Sequence, residues 1–320
     1  MPELLQGGRE LYLLFGGLAA LLAIASAIGA ILARRAQTPQ AQDTVRNLVE
    51  RINAWWVMVA VLAVAFLLGR TVTLVIFGLM AWFALREFVT LTPTRDGDRL
   101  PLSIAFFVIV PAQFVLIGIE RYGMFAIFIP VYAFLLLPAI AALRGDVQDF
   151  LTRSAKLQWG LMITVYCLSH APALLLLDLR GFPGREVLLL FYLLFVVQIS
   201  DVMQYVFGKL FGRTKIAPVV SPSKTVEGFV GGGLAATAIG AGMWWITPFT
   251  PGVAAAMSAA IVIMGFLGGL TLSAVKRSLG AKDWGVMIEG HGGMLDRLDS
   301  VCFAAPVFFH LVRFFYSVPP

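Results

Sequence analysis

The sequence predicts an all-α protein, a polytopic integral membrane helical bundle of about ten transmembrane helices. Three observations support this fold class. Of the 320 residues, 59% are hydrophobic and only 13% are charged, whereas about a quarter of a soluble domain is charged. Apolar runs of about 16 to 24 residues recur along the chain, and about 20 such residues form a helix that crosses a bilayer. Lys and Arg concentrate between alternate runs, as in the cytoplasmic loops of membrane proteins. A soluble globular protein is therefore excluded.

The predicted spans follow one another with mostly short connections. The first run is followed by Arg34 and Arg35 and not by a small-residue cleavage site, so we expect a retained helix and not a signal peptide. The least distinct boundary is at Arg70, between the second and third runs. The ten spans lie near 11–33, 54–69, 71–92, 102–119, 122–142, 158–177, 187–207, 229–247, 252–275 and 300–316.

The distribution of basic residues predicts the orientation. Five segments between spans contain 17 of the 24 Lys and Arg residues, and the segments on the opposite side contain 6. Because cytoplasmic loops retain positive charge, we expect these five segments inside the cell and both termini outside. The net charge of +6 is explained in this way, so we expect no nucleic acid partner. The five segments are 34–53, 93–101, 143–157, 208–228 and 276–299.

The distribution of polar residues changes near residue 200. Before this point they lie mostly in loops, and after it acids, bases and glycines crowd into two of the cytoplasmic segments and the adjoining helix ends. We therefore divide the chain into N-terminal transmembrane helices, 1–185, and a catalytic transmembrane region, 186–320, with two cytoplasmic active-site loops.

The first of these loops follows a span that ends in a carboxylate. Asp201 lies at the end of an apolar run, where an ionised side chain is costly unless it faces a polar cavity, a cation or a charged partner. Tyr205 lies four residues later on the same helix face, and Lys209 begins a basic cluster that suits a polyphosphate. The alternative is that Asp201 pairs with an Arg or caps a broken helix, and that the basic cluster is only a positive-inside signal.

Hydroxyl, basic and acidic side chains precede a glycine-rich helix start in the same loop. They are Ser221, Lys224, Thr225 and Glu227, and a helix N-terminus of this kind either receives an anion or caps itself. The sequence contains no G-x-x-x-x-G-K-[ST] motif, so this is not a Walker A loop.

The second loop contains more charged residues than are needed to set the orientation of the protein in the membrane. Asp296 and Asp299 are three residues apart at a predicted helix start, so their carboxylates face the same way, and Asp283 is near in sequence. Such oxygen ligands suit a Mg²⁺ ion that also binds substrate phosphates. The alternative is helix capping with a salt bridge to Arg297. His291 either acts on a proton, orients the glycine turn around it or donates to a phosphate. The loop also contains Lys276, Arg277, Lys282, Gly292 and Gly293.

Together these residues resemble the signature of the phosphatidate cytidylyltransferases, also called CDP-diacylglycerol synthases. That signature reads S-x-x-K-R-x-x-x-x-K-D-x-G and then H-G-G-x-x-D-R-x-D, and the chain matches it over 273–299. The segment 221–228 resembles a second conserved block of the family, and Asp201 with Tyr205 resembles its intramembrane Asp-x-x-x-Tyr. The likeness covers roughly residues 190–305.

The resemblance implies an enzyme that converts CTP and phosphatidate to CDP-diacylglycerol and pyrophosphate, with Mg²⁺ as cofactor. It implies an integral protein of the bacterial inner cell membrane, with the active site facing the cytoplasm. Val202, Gln204 and Glu289 depart from the family pattern, which indicates a divergent branch. The implied catalytic residues are Asp283, Asp296, Asp299, Lys276, Arg277, Lys282, Arg297 and His291. The implied substrate-binding residues are Ser221, Lys224, Thr225, Glu227, Tyr205, Lys209, Gly292 and Gly293. The implied metal ligands are Asp201, Asp283, Asp296 and Asp299.

Other functions stay open on the residues alone. A secondary transporter would explain ten spans and an intramembrane Asp201, although transporters commonly show paired broken helices in two repeats, and here the charges lie in one half. A CTP-dependent lipid kinase would transfer the γ-phosphoryl group and leave CDP. The sequence also leaves open a catalytically inactive scaffold and a homodimer.

Overall fold

The computed structural model describes residues 8–35, 37–285, 287 and 292–318. Within these ranges the chain forms ten long helices and one short antiparallel hairpin, which confirms the predicted all-α membrane fold. The helices are α1 (Gly8–Arg35), α2 (Pro39–Leu68), α3 (Arg70–Leu91), α4 (Asp96–Gly118), α5 (Tyr122–Ala142), α6 (Phe150–Leu176), α7 (Glu186–Phe211), α8 (Val226–Gly242), α9 (Pro251–Ser278) and α10 (Leu295–Tyr316). The hairpin strands are β1 (Lys215–Ala217) and β2 (Ser221–Thr225).

Nine helices of the described residues are long and apolar enough to cross a membrane. Ten spans were expected, and the predicted span 229–247 is the one that is not among these nine. Helix α8 has 17 residues, about 25 Å of helix, and it ends before a 3-10 turn at Trp244–Ile246. The apolar run in the sequence is thus longer than the helix that it forms.

The second helix begins well before its apolar run. Thr38 accepts a hydrogen bond from the Ala41 N–H (3.3 Å), and Pro39 occupies the first helical turn, where its missing N–H costs nothing. Much of the basic segment 34–53 is therefore helical. Helix α2 ends at Gly69, whose φ of 94° separates it from α3.

Glycines allow the helices of the C-terminal region to approach closely. A Cβ atom at Gly232 of α8 would collide with the backbone of Gln204 on α7. One at Gly268 of α9 would lie 2.6 Å from the carbonyl oxygen of Asp299 on α10. These contacts join α8 to α7 and α9 to α10 near the end of the bundle that contains both predicted active-site loops.

Candidate active site

Two carboxylates from distant parts of the chain meet at this end of the bundle. Asp201 is on α7 and Asp299 is on the first turns of α10, and each has a carboxylate oxygen 3.4 Å from Ser300 Oγ. The Ser300 N–H also donates to Asp299 Oδ1 (2.7 Å). Two ionised carboxylates this close to one hydroxyl repel each other. The structure therefore holds an acidic pair that needs a positive charge beside it.

Lys224 supplies one positive charge to this pair. It extends from β2, and its Nζ lies 4.7 Å from the centre of the Phe266 ring on α9. A Cβ atom at Gly269 would be 3.3 Å from Lys224 Nζ and 3.7 Å from Asp299 Oδ2, so the glycine leaves room for both groups. The lysine attracts both carboxylates electrostatically.

A small cleft of about 160 Å³ opens at this cluster. Asp201, Tyr205, Lys224 and Thr225 all line it, so four of the predicted residues come together there. Tyr205 is exposed, and the Nζ of Lys209 lies 5.9 Å from the centre of its ring. The cleft presents hydroxyl, ammonium and carboxylate groups to one small volume.

Asp296 faces a different set of partners from Asp299. Its Oδ1 is paired with Lys276 Nζ at 2.5 Å, and both side chains are nearly buried. Its Oδ2 accepts hydrogen bonds from the N–H groups of Trp284 (2.8 Å) and Gly293 (2.9 Å). Asp296 therefore fastens the second loop to the start of α10 and to the end of α9.

The four predicted metal ligands do not form one cluster. Asp201 lines the cleft and Asp299 meets it at Ser300, whereas Asp283 is exposed near Gly292 and Asp296 is bound to the loop. Within the part of the chain that the structure describes, no group of three or more His, Cys, Asp or Glu side chains is arranged to hold a metal. A cation between Asp201 and Asp299 would have two protein carboxylates.

The remaining residues of the second loop lie around this centre. Arg277 is exposed and donates to the carbonyl oxygen of Ala281 (3.0 Å) at the end of α9, and Lys282 is exposed beside it. Arg297 is half-buried and is attracted by Asp299 and Asp296. The predicted residue His291, together with Glu289 and Gly290, lies outside the described residues.

The first loop is held by its own side chains. Thr225 caps α8 by accepting a hydrogen bond from the Gly228 N–H (3.1 Å). Glu227 accepts from the N–H groups of Arg213 (2.9 Å) and Thr214 (3.1 Å), and the hydrogen bonds from Arg213 and Thr214 lower the pKa of Glu227 to about 2. Ser221 is half-buried on β2. Of the two alternatives for the start of α8, the structure shows the one in which the helix is capped by its own side chain. Lys224 lines the cleft.

Sequence reasoning missed Glu87, which lies on α3 in the N-terminal region. Its side chain is buried and accepts hydrogen bonds from the N–H groups of Met294 and Leu295, both at 2.8 Å. These are N–H groups of the first turn of α10, which have no partner within the helix. A Cβ atom at Gly293 would collide with the Glu87 carboxylate. The sequence feature that could have identified Glu87 is an acidic residue inside the apolar run 71–92.

The fold and the cleft define a membrane-embedded enzyme whose site suits a phosphate-bearing substrate. Residues 49–315 match the model of the Cytidylyltransferase family. Because this match covers most of the chain, the protein belongs to the cytidylyltransferase family.

Relatives agree with this assignment. The uncharacterized protein YnbB of Escherichia coli (strain K12) is 38% identical over 268 residues, which are 82% of this chain and 87% of that protein. A phosphatidate cytidylyltransferase of Staphylococcus aureus (strain COL) is 29% identical over 248 residues, 75% of this chain and 89% of that protein. One from Staphylococcus saprophyticus is 42% identical over 123 residues, 37% of this chain and 47% of that protein. This membrane protein is a nucleotidyltransferase.

Proposed function

We propose that the protein transfers the cytidylyl group of CTP to phosphatidate, giving CDP-diacylglycerol and pyrophosphate for phospholipid biosynthesis. The observation that carries this proposal is the cluster of Asp201, Asp299 and Lys224 at the end of a membrane bundle. A lipid phosphate reaches such a site from the membrane, and CTP reaches it from the aqueous side. The name of the Staphylococcus aureus relative supports phosphatidate as the lipid.

The reaction needs no nucleophile from the protein. A phosphate oxygen of phosphatidate attacks the α-phosphorus of CTP, and the bond from that phosphorus to the oxygen bridging to the β-phosphorus breaks. Pyrophosphate leaves with that bridging oxygen. The protein therefore acts by aligning the two substrates and by neutralising charge.

Lys224 is the residue best placed to contact a phosphate in the cleft. Its ammonium group is compact and has three donors, so it can follow the phosphate oxygens as charge moves to the leaving pyrophosphate. Thr225 and Tyr205 line the same cleft and provide side chains for substrate contact. Arg277 and Lys282, which are exposed on the second loop, are proposed to meet the triphosphate as it enters.

The donor set of the cleft fits Mg²⁺. This ion is commonly bound by one or two carboxylates together with substrate phosphates and water, and Asp201 and Asp299 form such a pair. Bound there, Mg²⁺ would supply positive charge that polarises the phosphate groups of CTP. The mutual repulsion of the two carboxylates favours a cation between them.

Asp296, Lys276 and Glu87 have positioning roles in this proposal. They hold the second loop and the start of α10, and so they fix where Asp299 and Arg297 lie relative to the cleft. We also propose that this end of the bundle faces the cytoplasm, where the basic loops are expected and CTP is made.

The test uses purified protein in detergent with phosphatidate, Mg²⁺ and CTP labelled at either the α- or the γ-phosphorus. We expect the α-label in a liponucleotide and the γ-label in pyrophosphate, and we expect EDTA to stop both. The γ-label in the lipid would instead identify a lipid kinase. No labelled lipid from either nucleotide would contradict the proposal.

A further inference from the structure

An apolar groove of about 330 Å³ lies between α1, α2 and α7, outside the cleft described above. Its far end is formed by Phe15, Phe66 and Phe191, and its near end lies at Ile52 and Val202. Along α7 the groove follows twelve residues, from 191 to 202, and the eleven steps between them span about 16 Å of helix. One leaflet of hydrocarbon is about 15 Å thick, since the whole core is about 30 Å. The groove is therefore as long as one leaflet is deep.

The near end of the groove adjoins the candidate active site. Gln198 lines the groove and is three residues before Asp201 on α7, so these two side chains lie on neighbouring parts of one helix face. Val202, which also lines the groove, is the residue after Asp201. A chain lying in the groove would thus end within reach of the carboxylate pair.

A guanidinium group lies next to the same end. Arg51 immediately precedes Ile52 on α2, and Ile52 lines the groove. Among the described residues, no hydrogen bond or ion pair of the Arg51 side chain is found. A guanidinium group without a carboxylate partner favours an anionic ligand. The surface therefore combines an apolar groove with a basic end, which is the complement of an anionic amphiphile.

We propose that the groove binds one acyl chain of the phosphatidate substrate, with the lipid phosphate beside Arg51. This inference rests on the proposed function. It assigns α1 and α2 a direct part in substrate binding, whereas the sequence motifs are confined to the C-terminal region. A resident membrane lipid and a helix from a second copy of the chain are the alternative occupants.

The first test fills the groove. Leu18 of α1 lines the groove one turn from its far end, and Leu18→Trp would place an indole in the path of a long chain. We expect KM for dipalmitoyl phosphatidate to rise by about tenfold or more, because hydrophobic pockets discriminate chain fit at that level. KM for dihexanoyl phosphatidate, whose chains are too short to reach far along the groove, should stay within about twofold of wild type. Ala23→Trp, at an exposed position of the same helix, is the matched control.

The second test removes the basic end. Arg51→Gln should raise KM for both lipids by about tenfold, because it removes one charge-assisted hydrogen bond to the lipid phosphate. KM for CTP should not change. Arg46→Gln is the control, because Arg46 is exposed on the same helix and pairs with Asp43 (3.0 Å).

The outcomes separate this inference from the proposed function. If wild-type protein forms no liponucleotide, the proposed function fails. If wild type is active and Leu18→Trp responds to the two lipids as Ala23→Trp does, the groove holds another occupant and the inference is wrong. If Arg51→Gln changes KM for CTP and not for the lipid, the assignment of the phosphate is overturned.

Discussion

At the scale of single residues, the acids of the C-terminal region differ in what they touch. Asp296 has partners for both of its oxygens, in Lys276 and in two backbone N–H groups. Asp201 and Asp299 share Ser300 and have Lys224 close by. A carboxylate whose oxygens are already bound positions a loop, whereas two carboxylates that repel each other are suited to a cation. Spacing in the sequence alone does not make this distinction.

Replacing either acid of the Asp201 and Asp299 pair should stop catalysis and leave the fold intact. We expect Asp299→Asn and Asp201→Asn each to lower kcat by about 100-fold or more, because loss of one preorganised charge costs that much in other active sites. The shape of the side chain is kept, so the thermal unfolding midpoint should not fall. Asp43→Asn, at an exposed ion pair, is the control. Near-normal turnover of Asp299→Asn would remove this residue from the site.

Lys224 is expected to act on substrate and not on stability. Lys224→Met keeps the length of the side chain and its contact with Phe266 but removes the charge. We expect kcat/KM for CTP to fall by about tenfold to 100-fold, as for loss of a hydrogen bond to a charged group. Lys215→Met, at an exposed position on the other hairpin strand, should show normal kinetics. Equal effects of the two substitutions would argue for general attraction of CTP by the basic loop.

At the scale of elements, the start of α10 is completed by a residue from α3. Helix α10 lacks a capping side chain of its own at Met294, and Glu87 accepts the N–H groups there. A negative charge at a helix N-terminus is also stabilised by the helix dipole. The helix that positions Asp299 is thus oriented by the N-terminal region of the chain.

Weakening this cap should lower turnover more than substrate binding. Glu87→Gln keeps the shape but loses the charge, and one of its two terminal atoms becomes a donor facing an N–H. Caps contribute about 1 kcal/mol, so we expect kcat to fall by about fivefold to tenfold while KM for CTP stays within about twofold. Glu87→Ala should lower kcat further, since it accepts neither N–H. Glu50→Gln, on the surface of α2, is the control. If Glu87 had a purely structural role, its substitution would change the unfolding midpoint and leave kcat per folded molecule unchanged.

Helices α7 and α8 cross closely because Gly232 has no side chain. Gly232→Ala would drive a methyl group into the backbone of Gln204, and such overpacking costs about 1–3 kcal/mol. We expect a lower thermal unfolding midpoint for this variant in detergent. Gly242→Ala is the control, because no atom lies within 4 Å of a Cβ at that position. An unchanged midpoint for Gly232→Ala would show that the two helices can separate without loss of stability.

At the scale of the whole molecule, an ion-pair network joins loops that are far apart in sequence. Asp146 accepts from Arg153 (2.8 Å) and from Arg95 (2.9 Å), and Arg153 also lies 3.5 Å from Asp98. The side chain of Arg153 is only 6% exposed, so it depends on these partners. The hydrogen bond from Arg153, followed by the one from Arg95, lowers the pKa of Asp146 from 3.8 to about 2. The network fixes the segment before α4 against the start of α6.

This network predicts the direction of a pH effect. A pKa that is lower in the folded state stabilises the protein above the unfolded pKa of 3.8, and this contribution is lost as the pH falls through about 2. We expect Asp146→Asn to unfold at a lower temperature than wild type at pH 7. The difference should shrink between about pH 5 and pH 2.5. Asp96→Asn, at a largely exposed position of the same network region, should match wild type throughout. A difference that is constant with pH would contradict the assignment.

The sequence alone predicted the membrane fold and the nucleotidyltransferase family correctly, and it assigned the candidate site residues to the last 120 residues. It could do so because apolar length and charge placement are local properties, and because the motif residues lie within two short loops. The residues Asp201, Tyr205, Lys224 and Thr225 were named from the sequence and do line one cleft. The short helix α8 and the early start of α2 differ from prediction, because glycines and an N-cap move helix ends away from the ends of apolar runs.

Which groups each acid contacts is visible only in the tertiary structure. Asp296 and Asp299 are equivalent in the sequence, and only packing places one on the loop and the other opposite Asp201. Only packing brings Glu87 to the start of α10, more than 200 residues away, and Ile52, the neighbour of Arg51, into one groove with Val202. The physical reason is that hydrogen bonds, charge pairs and close helix contacts depend on distance in space, whereas spacing along a helix fixes only which residues share a face.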